Sequence, residues 1–110
     1  GLDNLIAIVD YNKYIISSTT YDVMDLEPFE DRWRAYRWDV QRVDGHDVTA
    51  VREAVDKAKD ASYAPGKPRV IICDTKKDKG ISFMEEDAIH WHAGHIDEEL
   101  YKKCMEELGL

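Results

Sequence analysis

The chain has 110 residues, of which 44% are hydrophobic and 10% aromatic, enough for one compact core and too few for two domains. Its 15 basic and 23 acidic residues give a net charge of −8, which argues against general binding to nucleic acid or to an anionic membrane, because like charges repel. No apolar run approaches the roughly 20 residues of a membrane span, and we expect no signal peptide.

Two isolated cysteines bear on the cellular compartment. Cys73 lies within an apolar strand pattern and Cys104 on an apolar helix face. Cysteines of this kind are typical of buried free thiols rather than of a disulfide or a metal pair. The sequence therefore predicts a cytoplasmic protein with two buried thiols.

The first predicted strand, Leu5 to Asp10, is an apolar run that ends in a carboxylate. Such a run predicts a strand covered on both faces, as in a parallel sheet. Because open parallel sheets bind ligands beyond the carboxyl ends of their strands, Asp10 and Asn12 lie where a ligand is expected. Amide and carbonyl oxygens suit magnesium or calcium. The alternative is that both residues merely cap a turn.

Helical and strand patterns then alternate along the chain. A polar loop, Ser17 to Thr20, leads to a helix whose first turn suits Pro28. Phe29, Trp33 and Tyr36 follow at helical spacing and predict one apolar face. The second strand, Trp38 to Val43, is mixed in polarity and is therefore predicted to be less buried than the first.

The second half of the chain repeats this alternation. Asp47 is a good N-cap for a helix whose apolar stripe precedes a Pro- and Gly-containing turn. The third strand, Arg69 to Thr75, is apolar, and after a Lys-rich loop Asp97 opens a final helix. The predicted stripe residues are Val48, Val51, Ala54, Val55 and Ala58 in the first of these helices, and Leu100, Cys104 and Leu108 in the last.

This order of elements predicts an α/β fold, a parallel sheet with flanking helices and right-handed crossovers. Three strands are few for such a sheet, and the first has no preceding helix to cover it. We therefore expect the fold to be completed by another polypeptide segment.

Five segments of the chain occur in an order and spacing typical of a known family. They are Asp10–Ile16, Trp38–Asp47, Asp74–Gly80, Ser82–Glu85 and Trp91–His92. Together they resemble the second half of the thiamine-diphosphate-binding domain of transketolases, specifically the shorter type that is split into two subunits. The resemblance runs from about Asn4 to Leu110, so residues 1–110 are expected to form the C-terminal half of a diphosphate-binding domain.

The resemblance implies thiamine diphosphate and Mg²⁺ as cofactors. It implies that Asn12 and the backbone carbonyl of Tyr14 hold the metal, and that Ile16 packs near the cofactor, although plain core packing is an equal alternative for Ile16. It also implies two partners, one polypeptide carrying the Gly-Asp-Gly half of the metal site and one carrying the pyrimidine-binding domain and the catalytic acid. Without these partners, this chain is expected to bind cofactor poorly.

The resemblance also implies a catalytic residue, His92, which follows Trp91 where transketolases carry a histidine directed at cofactor and substrate. A neutral imidazole can donate to a phosphate or carbonyl, or move a proton. An alignment slip to His90 or His95 is the rival, and the three histidines together leave a zinc site open. We expect Lys77 and Lys79 to be solvated rather than to contact phosphate.

The chain departs from the family pattern at several glycines. Ser17 and Ser18 replace a common Asp-Gly, while Arg37 and Asp78 stand where glycine is usual. Each lost glycine is expected at a positive φ, at a cost of about 1 kcal/mol or more, least for Asp.

The implied function is transfer of a two-carbon ketol unit between sugar phosphates, as in the pentose phosphate pathway. A related thiamine-diphosphate enzyme, of the deoxyxylulose-phosphate synthase or dehydrogenase type, is an alternative. A non-catalytic α/β assembly module is another.

Overall fold

The computed structural model describes all residues from Gly1 to Leu110. They form two compact units, one of Gly1–Tyr11 with Leu26–Thr75 and one of Asn12–Asp25 with Lys76–Leu110. In chain order the elements are β1 (Ile6–Tyr11), β2 (Tyr14–Ile15), β3 (Ser18–Thr19), α1 (Thr20–Val23), α2 (Phe29–Ala35), β4 (Asp39–Asp44), α3 (Val48–Lys59), β5 (Arg69–Asp74), α4 (Ser82–Glu86), a 3₁₀ turn (His90–His92) and α5 (Glu98–Glu107).

The first unit is a three-stranded parallel sheet in the order β1-β5-β4. The chain passes from β1 beyond β5 to β4 and then returns to β5, so right-handed crossovers place α2 and α3 on opposite faces. The parallel α/β fold expected from the sequence is confirmed.

Strand β5 is the centre of the core, and its side chains alternate between the two faces of the sheet. Val70 and Ile72 pack on the side of α2, whereas Ile71 and Cys73 pack with Ala54 of α3 and its neighbours. Val70, Ile71 and Ile72 are fully buried, and burial of each such side chain contributes about 1.5–3 kcal/mol. Strand β4 is only half-buried, as its mixed polarity predicted.

Helix α3 begins as expected, because the Asp47 carboxylate accepts hydrogen bonds from the backbone N–H groups of Thr49 and Ala50 at 2.9 and 3.0 Å. Val48 was wrongly assigned to its apolar stripe. Val48 is the first helical residue and is 82% exposed, and the buried stripe residues are Ala54 and Ala58.

The prediction that β1 is covered on both faces is wrong for this chain. Ile8 is 59% exposed, because β1 lies at the sheet edge and α3 packs against β4 and β5. Tyr36 was also wrongly placed on the apolar face of α2. That helix ends at Ala35, and Tyr36 lies beyond the helical register, 79% exposed.

The second unit contains short elements that periodicity did not predict. The expected polar loop after β1 is an antiparallel hairpin of β2 and β3 followed by α1, and α4 and the 3₁₀ turn follow the Lys-rich loop. Helix α5 begins at the predicted cap, since the Asp97 carboxylate accepts from the Leu100 N–H at 2.9 Å. Leu108 lies past the end of α5 and is mostly exposed, contrary to prediction.

Two of the residues that replace a family glycine have the positive φ expected of them. Arg37 has φ 65° and Asp78 has φ 60°, so both hold the left-handed conformation that favours glycine. Ser18, which stands where the family has the glycine of Asp-Gly, does not adopt positive φ, so the same prediction is wrong for Ser18.

Neither cysteine of the chain forms a disulfide. Cys73 and Cys104 are buried free thiols, as predicted. None of the helices is long and apolar enough to cross a bilayer.

Candidate functional site

The turn after β1 is built around Asn12. The Asn12 Oδ1 atom accepts a hydrogen bond from the Tyr14 backbone N–H at 2.9 Å, an Asx turn that Lys13 completes with φ 69°. An amide oxygen has two lone pairs, so Oδ1 retains one with which it can coordinate a cation.

The hairpin that follows directs the backbone carbonyl of Tyr14. The Thr20 N–H donates to the Lys13 carbonyl at 2.8 Å, which makes Lys13 and Thr20 a hydrogen-bonded pair of the antiparallel ladder. Such pairs alternate with non-hydrogen-bonded pairs, so Tyr14 and Thr19, the next pair, direct their N–H and C=O groups away from each other. The Tyr14 carbonyl therefore points outward along the same edge as its N–H, which meets Asn12.

A cavity of about 180 Å³ lies in this second unit. Its lining includes the four residues to which the family resemblance assigned roles: Asn12, Tyr14, Ile16 and His92. The other lining residues are Ile15, Lys77, Ala88 and Ile89. The structure thus brings the residues that carry two hard oxygen donors, an ammonium and an imidazole around one space.

His92 ends the 3₁₀ turn that brings it to this cavity. The neighbouring Trp91 ring packs edge-on against Phe83, with centroids 5.3 Å apart. Gly94 is required beside it, because a Cβ at that position would clash with the Trp91 ring. Neither His90 nor His95 lines the cavity.

Lys77 is a cavity residue that the sequence reasoning assigned to solvent. Its side chain is only 19% exposed, and its Nζ lies 3.7 Å from the Asp78 Oδ1. The signal that could have identified it is its position in a loop directly after an apolar strand, where parallel sheets present ligand-binding groups. A lysine at this place brings positive charge to a site with few other cations.

Residues 1–110 contain no group of three or more His, Cys, Asp or Glu side chains arranged to hold a metal ion, so His90, His92 and His95 do not form a zinc site in this arrangement. The donors at the cavity, an amide oxygen and a carbonyl, are those that Mg²⁺ accepts. They fit Mg²⁺ if phosphate oxygens and further carboxylates complete its coordination.

Asp10, the other candidate at the end of β1, has a different role. Its carboxylate accepts a hydrogen bond from the Thr75 hydroxyl, which links the ends of two neighbouring strands in the first unit. Asp10 is therefore engaged within the sheet.

Comparison with known proteins assigns a family to this arrangement. Residues 1–110 match the family described as transketolase, thiamine diphosphate binding domain. The chain belongs to the transketolase family. The resemblance drawn from its sequence is thereby confirmed over the whole chain.

The relatives of this transketolase-family chain include proteins named as transketolase subunits. It is 44% identical over 107 residues to a 6-deoxy-6-sulfo-D-fructose transketolase subunit of Clostridium sp., an alignment covering 97% of this chain and 38% of the relative. It is 39% identical over 108 residues to one subunit of an apulose-4-phosphate transketolase of Phocaeicola vulgatus, covering 98% of this chain and 37% of the relative. The chain therefore spans well under half the length of these relatives.

A solved transketolase shares the fold. The chain superimposes on the crystal structure of transketolase from Campylobacter jejuni with a TM-score of 0.79 and 30% identity, covering 99% of this chain and 16% of that one. The transketolase family and the α/β fold thus agree.

Proposed function

We propose that this chain supplies the C-terminal half of the diphosphate-binding domain of a transketolase that uses thiamine diphosphate and Mg²⁺. The observation that carries this proposal is that Asn12, Tyr14, Ile16 and His92 all line the same cavity. Asn12 Oδ1 and the Tyr14 carbonyl hold Mg²⁺, and the Lys77 ammonium faces the negative charge of the diphosphate. Ile16 packs against the cofactor.

The reaction is transfer of a two-carbon ketol unit from a ketose to an aldose. The C2–C3 bond of the ketose breaks, which releases an aldose two carbons shorter, and the two-carbon unit forms a new bond to the acceptor aldehyde. No oxidant or reductant is consumed, and the proton lost from the donor hydroxyl is regained at the new hydroxyl of the acceptor. When bound, thiamine diphosphate supplies the electron sink that this chemistry needs.

His92 acts on the substrate side of the cavity. Its imidazole donates to a substrate oxygen or moves the hydroxyl proton. The two subunit relatives are named for a sulfofructose and for apulose 4-phosphate. These names support a donor ketose that carries an anionic group. The exact ketose is to be identified by assay.

The complete site requires other polypeptide segments. One carries the Gly-Asp-Gly half of the metal site, and another carries the pyrimidine-binding domain with the acid that activates the cofactor. The description of the relatives as subunits supports such partners and hence an oligomeric enzyme. The two buried free thiols support a cytoplasmic location.

The test is cofactor binding and turnover by the complete assembly. Calorimetry with Mg²⁺ and thiamine diphosphate is expected to give saturable binding that EDTA abolishes. Ketol transfer is then assayed with fructose 6-phosphate, 6-deoxy-6-sulfofructose and apulose 4-phosphate as donors, and at least one is expected to be used. An assembly that binds no cofactor and transfers no ketol unit would identify the chain as an assembly module instead.

A further inference from the structure

The Lys-rich loop between β5 and α4 is tied at both ends to one carboxylate. Glu85 Oε1 accepts a hydrogen bond from the Gly80 backbone N–H at 2.7 Å, and Glu85 Oε2 forms an ion pair with the Lys76 ammonium. The loop runs from Thr75 to Ile81, and Lys76 and Gly80 bound a five-residue segment of it that contains three lysines. One side chain thus closes the loop and offsets the mutual repulsion of its charges.

Glu85 is well suited to this task. Its side chain is only 15% exposed, whereas that of Lys76 is 56% exposed, so solvent screens the ion pair mainly from the lysine side. Donation by the Gly80 N–H, and then by the Lys76 ammonium, lowers the pKa of Glu85 below its ordinary value. The carboxylate therefore stays ionised at neutral pH.

The helix that carries Glu85 is itself held in place. The Ser82 backbone N–H and hydroxyl donate to the two oxygens of Glu107, on α5, at 2.6 and 2.8 Å. Met84, next to Glu85, is buried. Contacts outside the loop therefore help to hold the helix that carries Glu85.

The loop fixed in this way presents Lys77 to the cavity. Lys77 lies between the two residues that Glu85 holds, and it lines the cavity with Asn12 and His92. The neighbouring Asp78 is in the left-handed conformation, with φ 60°, and its carbonyl accepts from the Ile81 N–H at 3.3 Å. These restraints hold the part of the loop that places Lys77 among the residues lining the cavity.

We propose that Glu85 is a positioning residue, which holds both ends of the Lys76–Gly80 loop and thereby fixes the Lys77 ammonium where a diphosphate anion binds. This inference rests on the proposed function only for the nature of the anion. It assigns to Glu85 an effect on anion affinity that is transmitted entirely through Lys77.

The test is a double-mutant cycle in the complete assembly, with Mg²⁺ and inorganic pyrophosphate as the calorimetric probe. Lys77→Met removes the ammonium at similar length and is expected to weaken pyrophosphate binding roughly 10-fold. Glu85→Gln keeps an acceptor for the Gly80 N–H, loses the ion pair, and is expected to weaken it about 3-fold to 10-fold. In the Lys77→Met background, Glu85→Gln is expected to add almost nothing, because the group it positions is absent.

A matched control separates positioning from a general loss of charge or stability. Glu98 forms an exposed ion pair with Lys102 at 3.0 Å on α5, so Glu98→Gln removes a comparable charge far from the loop in sequence and is expected to leave pyrophosphate affinity unchanged. Thermal unfolding of each variant verifies that the fold is retained. Faster hydrogen exchange at the Gly80 amide in Glu85→Gln would support loosening of the loop.

Two outcomes overturn the inference. If Glu85→Gln weakens binding by the same factor with and without the Lys77 ammonium, Glu85 acts by another route. If Lys77→Met leaves pyrophosphate affinity unchanged, Lys77 is not the group that Glu85 positions. In either case, retained binding of thiamine diphosphate by the wild-type assembly leaves the proposed function standing.

Discussion

Asn12 combines a structural and a proposed metal-binding role in one side chain. Its Oδ1 closes the turn to the Tyr14 N–H, which fixes the amide where a cation can use the remaining lone pair. A residue that merely capped the turn would also accept the hydrogen bond from the Tyr14 N–H. The two roles are therefore separated only by measuring metal-dependent binding.

Asn12→Ala in the complete assembly is expected to weaken Mg²⁺-dependent thiamine diphosphate binding roughly 10-fold or more, because one partner of a charged group is lost. Asn12→Asp is expected to be milder for the metal, although its added charge disfavours the diphosphate. Calorimetry with Mg²⁺ and cofactor measures both. Unchanged affinity in the alanine variant would remove Asn12 from the site.

His92 is the only one of the three clustered histidines that lines the cavity. His92→Ala is expected to lower ketol-transfer turnover by about 10²-fold to 10⁴-fold, the usual contribution of a positioned acid–base group. Assembly and Mg²⁺ binding are expected to remain nearly intact. Steady-state kinetics of the purified assembly provides the measurement.

The neighbouring histidines serve as internal controls. His90→Ala and His95→Ala are expected to have little effect on turnover, since neither side chain lines the cavity. Loss of activity in one of these variants, with His92→Ala fully active, would place the acid–base group elsewhere on the loop. Three silent variants would place it in another polypeptide.

Arg37 and Asp78 test the cost of left-handed backbone at positions where the family has glycine. Arg37, at φ 65°, is strained by about 1–2 kcal/mol, partly offset on substitution by the greater freedom of glycine in the unfolded chain. Arg37→Gly is therefore expected to raise the melting temperature slightly. Asp78→Gly is expected to change it less, because Asp tolerates this conformation better. Equal shifts in thermal unfolding would contradict this ranking.

At the scale of elements, the start of the short helix α4 is stabilised by a carboxylate on α5. Glu107 accepts both donors of Ser82 at the start of α4, and these bonds lower the pKa of Glu107, with the Ser82 backbone N–H the larger cause. A depressed carboxyl pKa stabilises the fold above the ordinary pKa of Glu, and that contribution is lost as the pH falls through the lowered value.

Glu107→Gln is therefore expected to lower the melting temperature near neutral pH and to lessen its fall on acidification below about pH 4. The facing charged groups are Lys103 and Glu85, of which Lys103 favours and Glu85 opposes ionisation. Thermal unfolding of wild type and variant from about pH 6 to pH 3 measures the difference. Parallel pH profiles for the two proteins would mean that Glu107 contributes no such linkage.

The length of each element explains why some elements were predicted from the sequence and others were not. Strand β5 and helices α3 and α5 have long enough patterns, with Asp47 and Asp97 as caps, to be identified from periodicity. The hairpin and α4 span only two to five residues each, too short for either period. The hydrogen bonds that stabilise them, such as Ser82 to Glu107, join residues distant in sequence.

At the scale of the molecule, the sheet has an unpaired edge at β1. Ile8 on this strand and Leu5 just before it are exposed, and an edge strand with exposed apolar side chains pairs readily with other chains. Leu5 to Val9 are therefore expected to contact strands of another polypeptide segment. Obligate association of this kind typically buries more than about 2,000 Å².

Expressed alone, residues 1–110 are expected to be aggregated, oligomeric or loosely folded. Size-exclusion chromatography with light scattering, followed by thermal unfolding, measures this directly. Co-expression with the partner polypeptides is the control and is expected to give a defined complex. A monodisperse monomer with a sharp transition would contradict the prediction.

The sequence by itself determined the family, the parallel α/β pattern and the buried identity of β5, because strand periodicity, caps and motif order are local properties. It also marked Asn12, Tyr14, Ile16 and His92. Only the tertiary structure brought these four residues around one cavity and added Lys77 to them. It likewise decided that Ile8 is exposed, because burial at a sheet edge depends on what packs against the strand. Such proximity arises from packing between segments far apart in the chain, which no local pattern encodes.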